Sequence, residues 1–315
     1  MWMKYLFLTV TFMLLAGLTA ACYGPGASDK NAAPAQLSVA VMPDVDSLPI
    51  LLAEELGYFN EEGVDVRVEM FTSPVERDSA LQAGQLDGAI SDILAVAFFA
   101  DKGFDVRITS MSDGRYCILA SRDSGITKAE DLKGVEIAMS SNTIIEYEVD
   151  KLLTSAGLDS SEIAKIAIPN MQVRMQMLEE GKVKAAGMPE PLATLQMSKG
   201  ARLIASSEDI GEAPGIILFT GDAVGGRKDA ITKFYRAYNR AAAEINSNGE
   251  KHREMLVKKA GFPEQVRDTI EFPEYREAEL PSEKLVNEVI AWMVGKELIA
   301  NRLNYNQLVD ESILE

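Results

Sequence analysis

The sequence predicts an α/β protein of two lobes, each a mostly parallel sheet flanked by helices. Short β-branched runs alternate with segments whose apolar residues recur at helical spacing, which is typical of parallel sheets covered on both faces. This alternation occurs in residues 37–121 and again in residues 125–219. The chain has 315 residues, and at this size a single hydrophobic core usually divides into two.

The N-terminus resembles an export signal of the lipoprotein type. Lys4 is followed by an uncharged, mostly apolar run over residues 5–18 and then by small residues and Cys22. The run is shorter than the roughly 20 residues that span a bilayer. We expect residues 1–21 to be removed and Cys22 to carry the lipid anchor. The alternative is that Cys22 is an incidental thiol in an ordinary secretory signal.

Residues 22–36 are rich in Gly, Ala and Pro and are expected to form a flexible tether. The only other cysteine, Cys117, lies in an apolar run, which predicts a small buried hydrophobe rather than a reactive thiol.

Strands are predicted wherever a short apolar, β-branched run is bounded by turn residues. They are Leu37–Met42, Val64–Met70, Gly88–Ser91, Val106–Met111, Arg115–Ser121, Val135–Ser140, Ile163–Ile168, Val183–Met188, Arg202–Ala205 and Gly215–Phe219.

Helices are predicted between these strands, the first beginning after Ser47 as N-cap. The others before residue 220 are Arg77–Gln82, Ile93–Ala100, Thr143–Ala156, Met171–Glu180 and Pro191–Lys199, and the chain is almost all helix from Asp222 onward. We expect the first lobe to contain residues 37–118 and 219–315 and the second lobe residues 119–218. Two crossing strands would form a hinge, with a cleft between the lobes.

Composition excludes several classes of function. The net charge is −17, and it is −18 for a chain that begins at Cys22, because Lys4 is the only charged residue before it. This charge argues against nucleic-acid partners. The one histidine, His252, lies in a charged stretch and is expected to be exposed. Neither zinc-ligand spacing nor a phosphate-binding loop is present, so we expect no enzyme, metal or cofactor.

Polar loops follow several predicted strands, which is where open α/β sheets bind ligands. The loops are residues 43–47, 72–74, 91–92, 112–114, 140–143 and 188–191. Each alone is more often a helix cap than a ligand contact. Their shared position at strand ends favours a binding cleft.

Four stretches resemble the substrate-binding component of an ABC importer of the nitrate/sulfonate/taurine and thiamine-precursor type. They are LPILLAEELGYFNEEGVDVRV (48–68), ALQAGQLDGAISD (80–92), ITKAEDLKGVEIAMSS (126–141) and AAGMPEPLATLQMSKGARLI (185–204). The resemblance implies a type II periplasmic-binding fold whose lobes close on a small molecule. It also implies permease and ATPase partners, an extracytoplasmic location and a monomer.

The resemblance carries ligand contacts to the polar loops. They are Asp44, Val45, Asp46, Ser47, Ser73, Ser91 and Asp92 in the first lobe and Ser140, Ser141, Asn142, Thr143 and Glu190 in the second. Asp113 belongs to the fourth loop, and Tyr116 is added from its position near the crossing, with core packing as the alternative. The acidic residues oppose an anion and favour a neutral or amine-bearing organic solute, such as an aminopyrimidine-like heterocycle.

Two alternatives share this scaffold. One is an enzyme that uses Asp92 or Glu190 as acid or base, although relatives that make a thiamine precursor depend on a histidine and a cysteine cluster that this chain lacks. The other is a receptor that reports its ligand to a sensor protein.

Overall fold

The computed structural model describes residues 36–300 and 302–314. Every predicted strand is present there, with its ends within two residues of the prediction. The strands are β1 Gln36–Val41, β2 Asp65–Met70, β3 Gly88–Asp92, β4 Val106–Met111, β5 Tyr116–Ala120, β6 Glu136–Met139, β7 Ala164–Ala167, β8 Ala185–Pro189, β9 Arg202–Ser206 and β10 Gly215–Thr220.

Helices fill the connections between strands and most of the C-terminal part. They are α1 Leu48–Glu55, α2 Tyr58–Glu62, α3 Pro74–Gln82, α4 Ile93–Asp101, α5 Ile144–Ser155, α6 Met171–Glu179, α7 Leu192–Ser198, α8 Gly221–Gly226, α9 Lys228–Lys259, α10 Glu283–Gly295 and α11 Tyr305–Leu308. Within residues 36–300 and 302–314, none of them has the length and apolar character needed to cross a membrane.

The strands form two sheets of the same design. The first has the order β2-β1-β3-β10-β4 and the second β7-β6-β8-β5-β9. In the first, β1 runs parallel to β2 and β3, and β10 is antiparallel to β3 and β4. In the second, β6 runs parallel to β7 and β8, and β5 is antiparallel to β8 and β9. Each sheet therefore has four strands in one direction and one reversed strand, which confirms the predicted fold class.

The chain passes between the sheets twice. It leaves the first sheet at Met111, enters the second at Tyr116, leaves that at Ser206 and returns at Gly215. We define the first lobe as residues 36–111, 215–300 and 302–314, and the second lobe as residues 116–206. The crossings lie outside the strands, because β5 and β10 each pair within one sheet along their whole length.

Aromatic side chains join α9 to the first sheet. The ring of Phe234 stacks on Phe59 at a centroid distance of 5.4 Å and meets Phe219 of β10 edge-on at 5.5 Å. Such pairs add about 0.5–1.5 kcal/mol beyond the burial of their area. Packing of α9 against β10 therefore also positions the start of β10, which lies beside the end of β3.

The helix α9 changes direction at Asn248, which has non-helical backbone angles (φ −137°, ψ 23°). Beyond this kink, His252 is buried and its Nε2 lies 2.8 Å from Oε1 of Glu244. The expectation of an exposed His252 was therefore wrong: the kink turns this position toward its own helix, although the neighbouring residues are charged.

Candidate functional site

The loop between β1 and α1 brings carboxylates to the carboxyl edge of the first sheet. Ser47 is the N-cap residue of α1, but its side chain does not bond the helix N-terminus. Its hydroxyl donates to Oδ1 of Asp44 at 2.9 Å and accepts from the Met42 amide at 3.1 Å. The Val45 carbonyl accepts from the hydroxyl of Tyr275 at 2.8 Å. The loop is thus held from both sides with the side chains of Asp44 and Asp46 fixed.

Asp46 is buried beside the first crossing segment. Oδ2 accepts from the Ser112 hydroxyl at 2.6 Å, and its side chain is 4% exposed. Burial and the neighbouring charge of Asp44 raise the pKa of Asp46 well above its ordinary value. A methyl group added to Gly114 would lie 2.5 Å from Oδ1 of Asp46 and 2.9 Å from the hydroxyl of Tyr116. Glycine at this position therefore lets Tyr116 approach Asp46.

The end of β3 contributes Ser91 and Asp92. Oδ1 of Asp92 accepts from the Ala95 amide at 2.8 Å and caps α4. Burial raises the pKa of Asp92, and the positive charge of Arg77 opposes this shift. The hydroxyl of Ser91 is buried and has no hydrogen-bond partner among the described residues.

Arg77 is a buried cation whose charge acts on Asp44 and Asp92. Its guanidinium donates to the Ile90 carbonyl at 3.0 Å and forms an ion pair with Asp78 at 2.8 Å. Burial raises the pKa of Asp44 to about 6, although the Ser47 hydrogen bond and the Arg77 charge both lower it. The Arg77 charge therefore only partly compensates the carboxylates around it.

Tyr116 connects this group to the second lobe. Because β5 is reversed, Tyr116 starts its strand opposite Pro189, at the edge where β8 ends. Burial and then the charges of Asp46, Asp44, Asp92 and Glu148 raise the pKa of Tyr116 well above its ordinary value. The charges that act on the Tyr116 hydroxyl therefore come from three carboxylates of the first lobe and one of the second. We call Asp44, Asp46, Asp92 and Glu148 the carboxylate cluster.

Sequence reasoning missed Glu148 on α5. Its side chain is 2% exposed, and its Oε2 has no hydrogen-bond partner in the described part of the chain. Burial raises the pKa of Glu148 to about 8, although the positive charge of Lys151 acts to lower it. A signal was present: Ile145, Glu148 and Val149 have the spacing of one helix face. A carboxylate within an apolar stripe is unusual enough to mark a site.

The loop at residues 140–143 is held by hydrogen bonds within the second lobe. The Ser140 hydroxyl accepts from the buried guanidinium of Arg174, and the Thr143 hydroxyl donates to the Ser140 carbonyl at 2.9 Å. Ser141 and Asn142 are exposed, and the Asn142 amide donates to Glu146 at 2.7 Å. This loop shapes the start of α5 and thereby positions Glu148, which lies within the next turn and a half.

Two further predicted residues, Asp113 and Ser73, have different surroundings. Asp113 forms an ion pair with Arg276 at 2.6 Å, although its charge reaches Asp46. Ser73 is partly exposed at the start of α3.

Glu190 belongs to the opposite face of the second sheet. Its charge acts on Cys117, and adjacent residues of a strand, here Tyr116 and Cys117, point to opposite faces. One oxygen of Glu190 accepts from the Thr194 amide at 2.9 Å, and the other has no partner among the described residues. Mainly through burial, the pKa of the Cys117 thiol rises to about 12, which leaves it inert.

The lobes touch where α5 meets α10. Trp292 Nε1 donates to Asp150 at 3.0 Å, and Lys151 pairs with Glu288 at 2.8 Å. Lys296 donates to Glu146 and lies 4.7 Å from the centre of the Trp292 ring. These contacts hold α5, and with it Glu148, against the first lobe.

Chemically, the site offers carboxyl oxygens as acceptors, and it becomes negatively charged when these groups ionise. No group of His, Cys, Asp and Glu side chains in residues 36–300 and 302–314 has an arrangement that could hold a metal ion. What the arrangement can do is accept hydrogen bonds from a positively charged or proton-donating group enclosed between the lobes.

Residues 44–251 match a family model described as NMT1/THI5 like. The chain is 26% identical over 141 residues to a 4-amino-5-hydroxymethyl-2-methylpyrimidine phosphate synthase of Saccharomyces cerevisiae, covering 44% of this chain and 41% of that protein. The match therefore spans about two fifths of the length of this curated relative.

Two solved structures have the same fold. The alkanesulfonate-binding protein SsuA of Xanthomonas axonopodis pv. citri, bound to MOPS, has a TM-score of 0.75 at 19% identity, covering 89% of this chain and 99% of that chain. The periplasmic aliphatic sulphonate binding protein SsuA of Escherichia coli has a TM-score of 0.76 at 17% identity, with the same coverage. At these identities the likeness shows the fold, that of two-lobed periplasmic binding proteins.

The family match has a firmer basis than the structural likeness, because it extends from the loop that carries Asp44 into α9 and spans about two thirds of the chain. The chain belongs to the NMT1/THI5-like family.

Proposed function

We propose that this protein is the solute-capturing subunit of an ABC importer. The observation that carries the proposal is that each lobe buries a carboxyl group beside the crossing between them, Asp46 in the first lobe and Glu148, with an unpartnered oxygen, in the second. A site assembled from two lobes is completed when they close, as in hinge-bending receptors. The captured molecule is a small organic solute, which the protein delivers to a permease driven by an ATPase subunit.

The proposed location is extracytoplasmic, at the outer face of the cytoplasmic membrane or in a periplasm. Cys22 and the tether before β1 lie outside the described residues. The anchor is therefore proposed from the resemblance of residues 1–22 to a lipoprotein signal, and the protein is proposed to act as a monomer. More than one acyl chain would hold it firmly at the membrane.

The residues predicted to contact the solute are proposed to do so in different ways. Asp44, Asp46, Ser91 and Asp92 lie in or beside the carboxylate cluster and are proposed to contact the solute directly. Ser141 and Asn142 are exposed. Their proposed role is therefore to contact the arriving solute or the permease. The two lobes as defined by their sheets are proposed to be the bodies that move.

An enzyme on the same scaffold is the second candidate, because the curated relative is a synthase. Two observations favour binding over catalysis. His252 is bonded to Glu244 on α9, and the Cys117 thiol is buried on the sheet face opposite Tyr116. Neither side chain belongs to the carboxylate cluster, so the usual nucleophile and base pair is not assembled there.

Differential scanning fluorimetry against a library of sulfonates, nitrate, aminopyrimidines, amines and flavins tests capture. A true ligand at about 100 times its Kd should raise the Tm by roughly 5–10 °C. The stabilising compound should be recovered chemically unchanged after long incubation, and deletion of the gene should abolish its uptake by cells.

Each other outcome has a distinct meaning. Conversion of the compound would identify an enzyme, and a signalling response without uptake would identify a sensor receptor. A library with no stabilising member would refute capture of a small solute.

A further inference from the structure

The carboxylate cluster lacks a matching positive charge. Arg77 is already bonded to Asp78 and to the Ile90 carbonyl. The cation whose charge reaches Glu148 is Lys151, and it is paired with Glu288 at 2.8 Å. Burying several carboxylates with so little compensation is costly, and it is tolerated where a bound cation replaces the lost solvation.

Two buried polar atoms, one on each lobe, lack partners among the described residues. They are Oε2 of Glu148 and the hydroxyl of Ser91, on residues that are 2% and 6% exposed. Glu148 is on α5 of the second lobe and Ser91 precedes Asp92 on β3 of the first. Buried polar groups in folded proteins almost always have hydrogen-bond partners, so acceptors left open on both lobes indicate that a donor from outside the chain binds there.

The open acceptors are spread over two lobes rather than gathered around one point. This agrees with the finding that the described part of the chain holds no cluster suited to a metal ion. A spread set of acceptors matches a polyatomic cation whose charge is carried by several N–H groups.

We propose that the carboxylate cluster binds a small organic cation with N–H donors, such as an alkylammonium, an amidinium or a protonated nitrogen heterocycle. Asp44, Asp46 and Asp92 receive it in the first lobe, and Glu148 closes over it from the second. The inference rests on the proposed function and narrows its solute to a chemical class.

The same geometry selects against anions. A sulfonate in this position would face four carboxyl groups, and the opposing charge of Arg77 is shared with Asp78. Once these groups are ionised, their like charges in a partly buried site repel an anion. The proposed solute therefore differs in sign from the alkanesulfonates named for the structural neighbours.

Two series of probes with matched shape and different charge test the inference. One consists of benzamidine, benzyl alcohol and benzenesulfonate, and the other of butylamine, butanol and butanesulfonate. Binding to the purified full-length chain is measured by isothermal titration calorimetry at pH 8 and low salt. We expect the cation of at least one series to bind at least tenfold more tightly than its neutral and anionic counterparts.

Matched variants localise the site. Glu148→Gln keeps the shape of the side chain and should weaken cation binding by about 30-fold, since it removes one partner of a buried charge pair. Asp46→Asn should have a comparable effect. Glu136→Gln makes the same chemical change at an exposed position of the same lobe and should leave binding unchanged. Circular dichroism of each variant shows whether it is folded.

The outcomes separate the two proposals. Tighter binding of the sulfonates or the neutral probes would overturn the inference and leave the receptor function standing. Cation binding that persists in both folded variants would also overturn it, because the cation would then sit elsewhere. If neither these probes nor any compound of the broader library binds, both proposals fail.

Discussion

The ring of Tyr147 meets the ring of Trp292 edge to face, with centroids 5.6 Å apart and an angle of 84° between the planes. Tyr147 is on α5 of the second lobe, and Trp292 is on α10 of the first. The pair therefore joins the lobes one residue away from Glu148. Closure of the lobes and placement of Glu148 in the carboxylate cluster depend on the same helix.

Trp292→Ala should weaken ligand binding by about 5–10-fold, because removing the ring contact and the bond to Asp150 favours the open state. Small-angle scattering should show a larger radius of gyration, and calorimetry gives the affinity. Val294→Ala on the same helix alters an exposed side chain and serves as the control. An unchanged radius and affinity in Trp292→Ala would show that this contact does not govern closure.

The stability of the ligand-free protein should fall as the pH rises from about 4.5 to 8. Burial raises the pKa of Glu148 from 4.5 to about 8 and that of Asp44 from 3.8 to about 6. In this window the unfolded chain loses these protons while the folded protein keeps them, so ionisation favours unfolding. Thermal denaturation at a series of pH values measures the slope.

Glu148→Gln should reduce that slope and raise the Tm at pH 8, since an amide does not ionise. Glu136→Gln, at an exposed position, should reproduce the wild-type slope. Asp46, Asp92, Tyr116 and Lys151 surround the same region and are unchanged in both variants. A Glu148→Gln protein with the full wild-type slope would assign the pH dependence to other groups.

Cation binding at neutral pH should release protons, because a bound cation favours the ionised carboxylates. Affinity should therefore increase between pH 6 and pH 8. Calorimetry in buffers with different ionisation enthalpies counts the protons released. Proton uptake on binding would contradict the role assigned to the carboxylate cluster.

Gly114→Ala should destabilise the protein by about 1–3 kcal/mol, the usual cost of overfilling a close-packed site. The added methyl would lie 2.5 Å from Asp46 and 2.9 Å from the Tyr116 hydroxyl. Gly226→Ala is the control, because its methyl meets nothing within 4 Å and it lies in α8. Urea denaturation measures both, and equal stabilities would mean that Tyr116 and Asp46 move apart freely.

Cys22→Ser should move the protein from the membrane fraction to the soluble fraction, since the thiol that accepts the lipid is lost. Cys117→Ser should stay with the membrane, because Cys117 is buried in β5. Fractionation followed by immunoblotting distinguishes the two. Retention of Cys22→Ser at the membrane would rule out an anchor at this position.

The local pattern of apolar and polar residues was sufficient to predict the strands and most helices. β4 was predicted with its observed bounds, and the apolar face of α9 formed by Phe234, Tyr235 and Tyr238 is buried as expected. The spacing of apolar residues predicts these elements correctly because a helix or strand that buries one face needs apolar residues at regular intervals. It failed at His252, where the kink at Asn248 turns a charged stretch partly inward.

The candidate site was predictable only in part. Asp44, Asp46 and Asp92 follow strands, so their place at the edge of a parallel sheet could be expected. Ser140 has the same kind of position, yet its hydroxyl bonds Arg174 instead. The position of a loop is set by topology, whereas the direction of each side chain is set by which partners lie within reach.

The sequence by itself determined the two α/β lobes, the acidic character of the chain and the loops from which a site could be built. The lobes and loops follow from patterns within single helices and strands, where the spacing of apolar residues reflects which face is buried. The tertiary structure decided that charges from both lobes, Glu148 among them, act on the Tyr116 hydroxyl. This arrangement depends on the reversed direction of β5 and on the packing of α5 against α10. No short-range pattern encodes either relation.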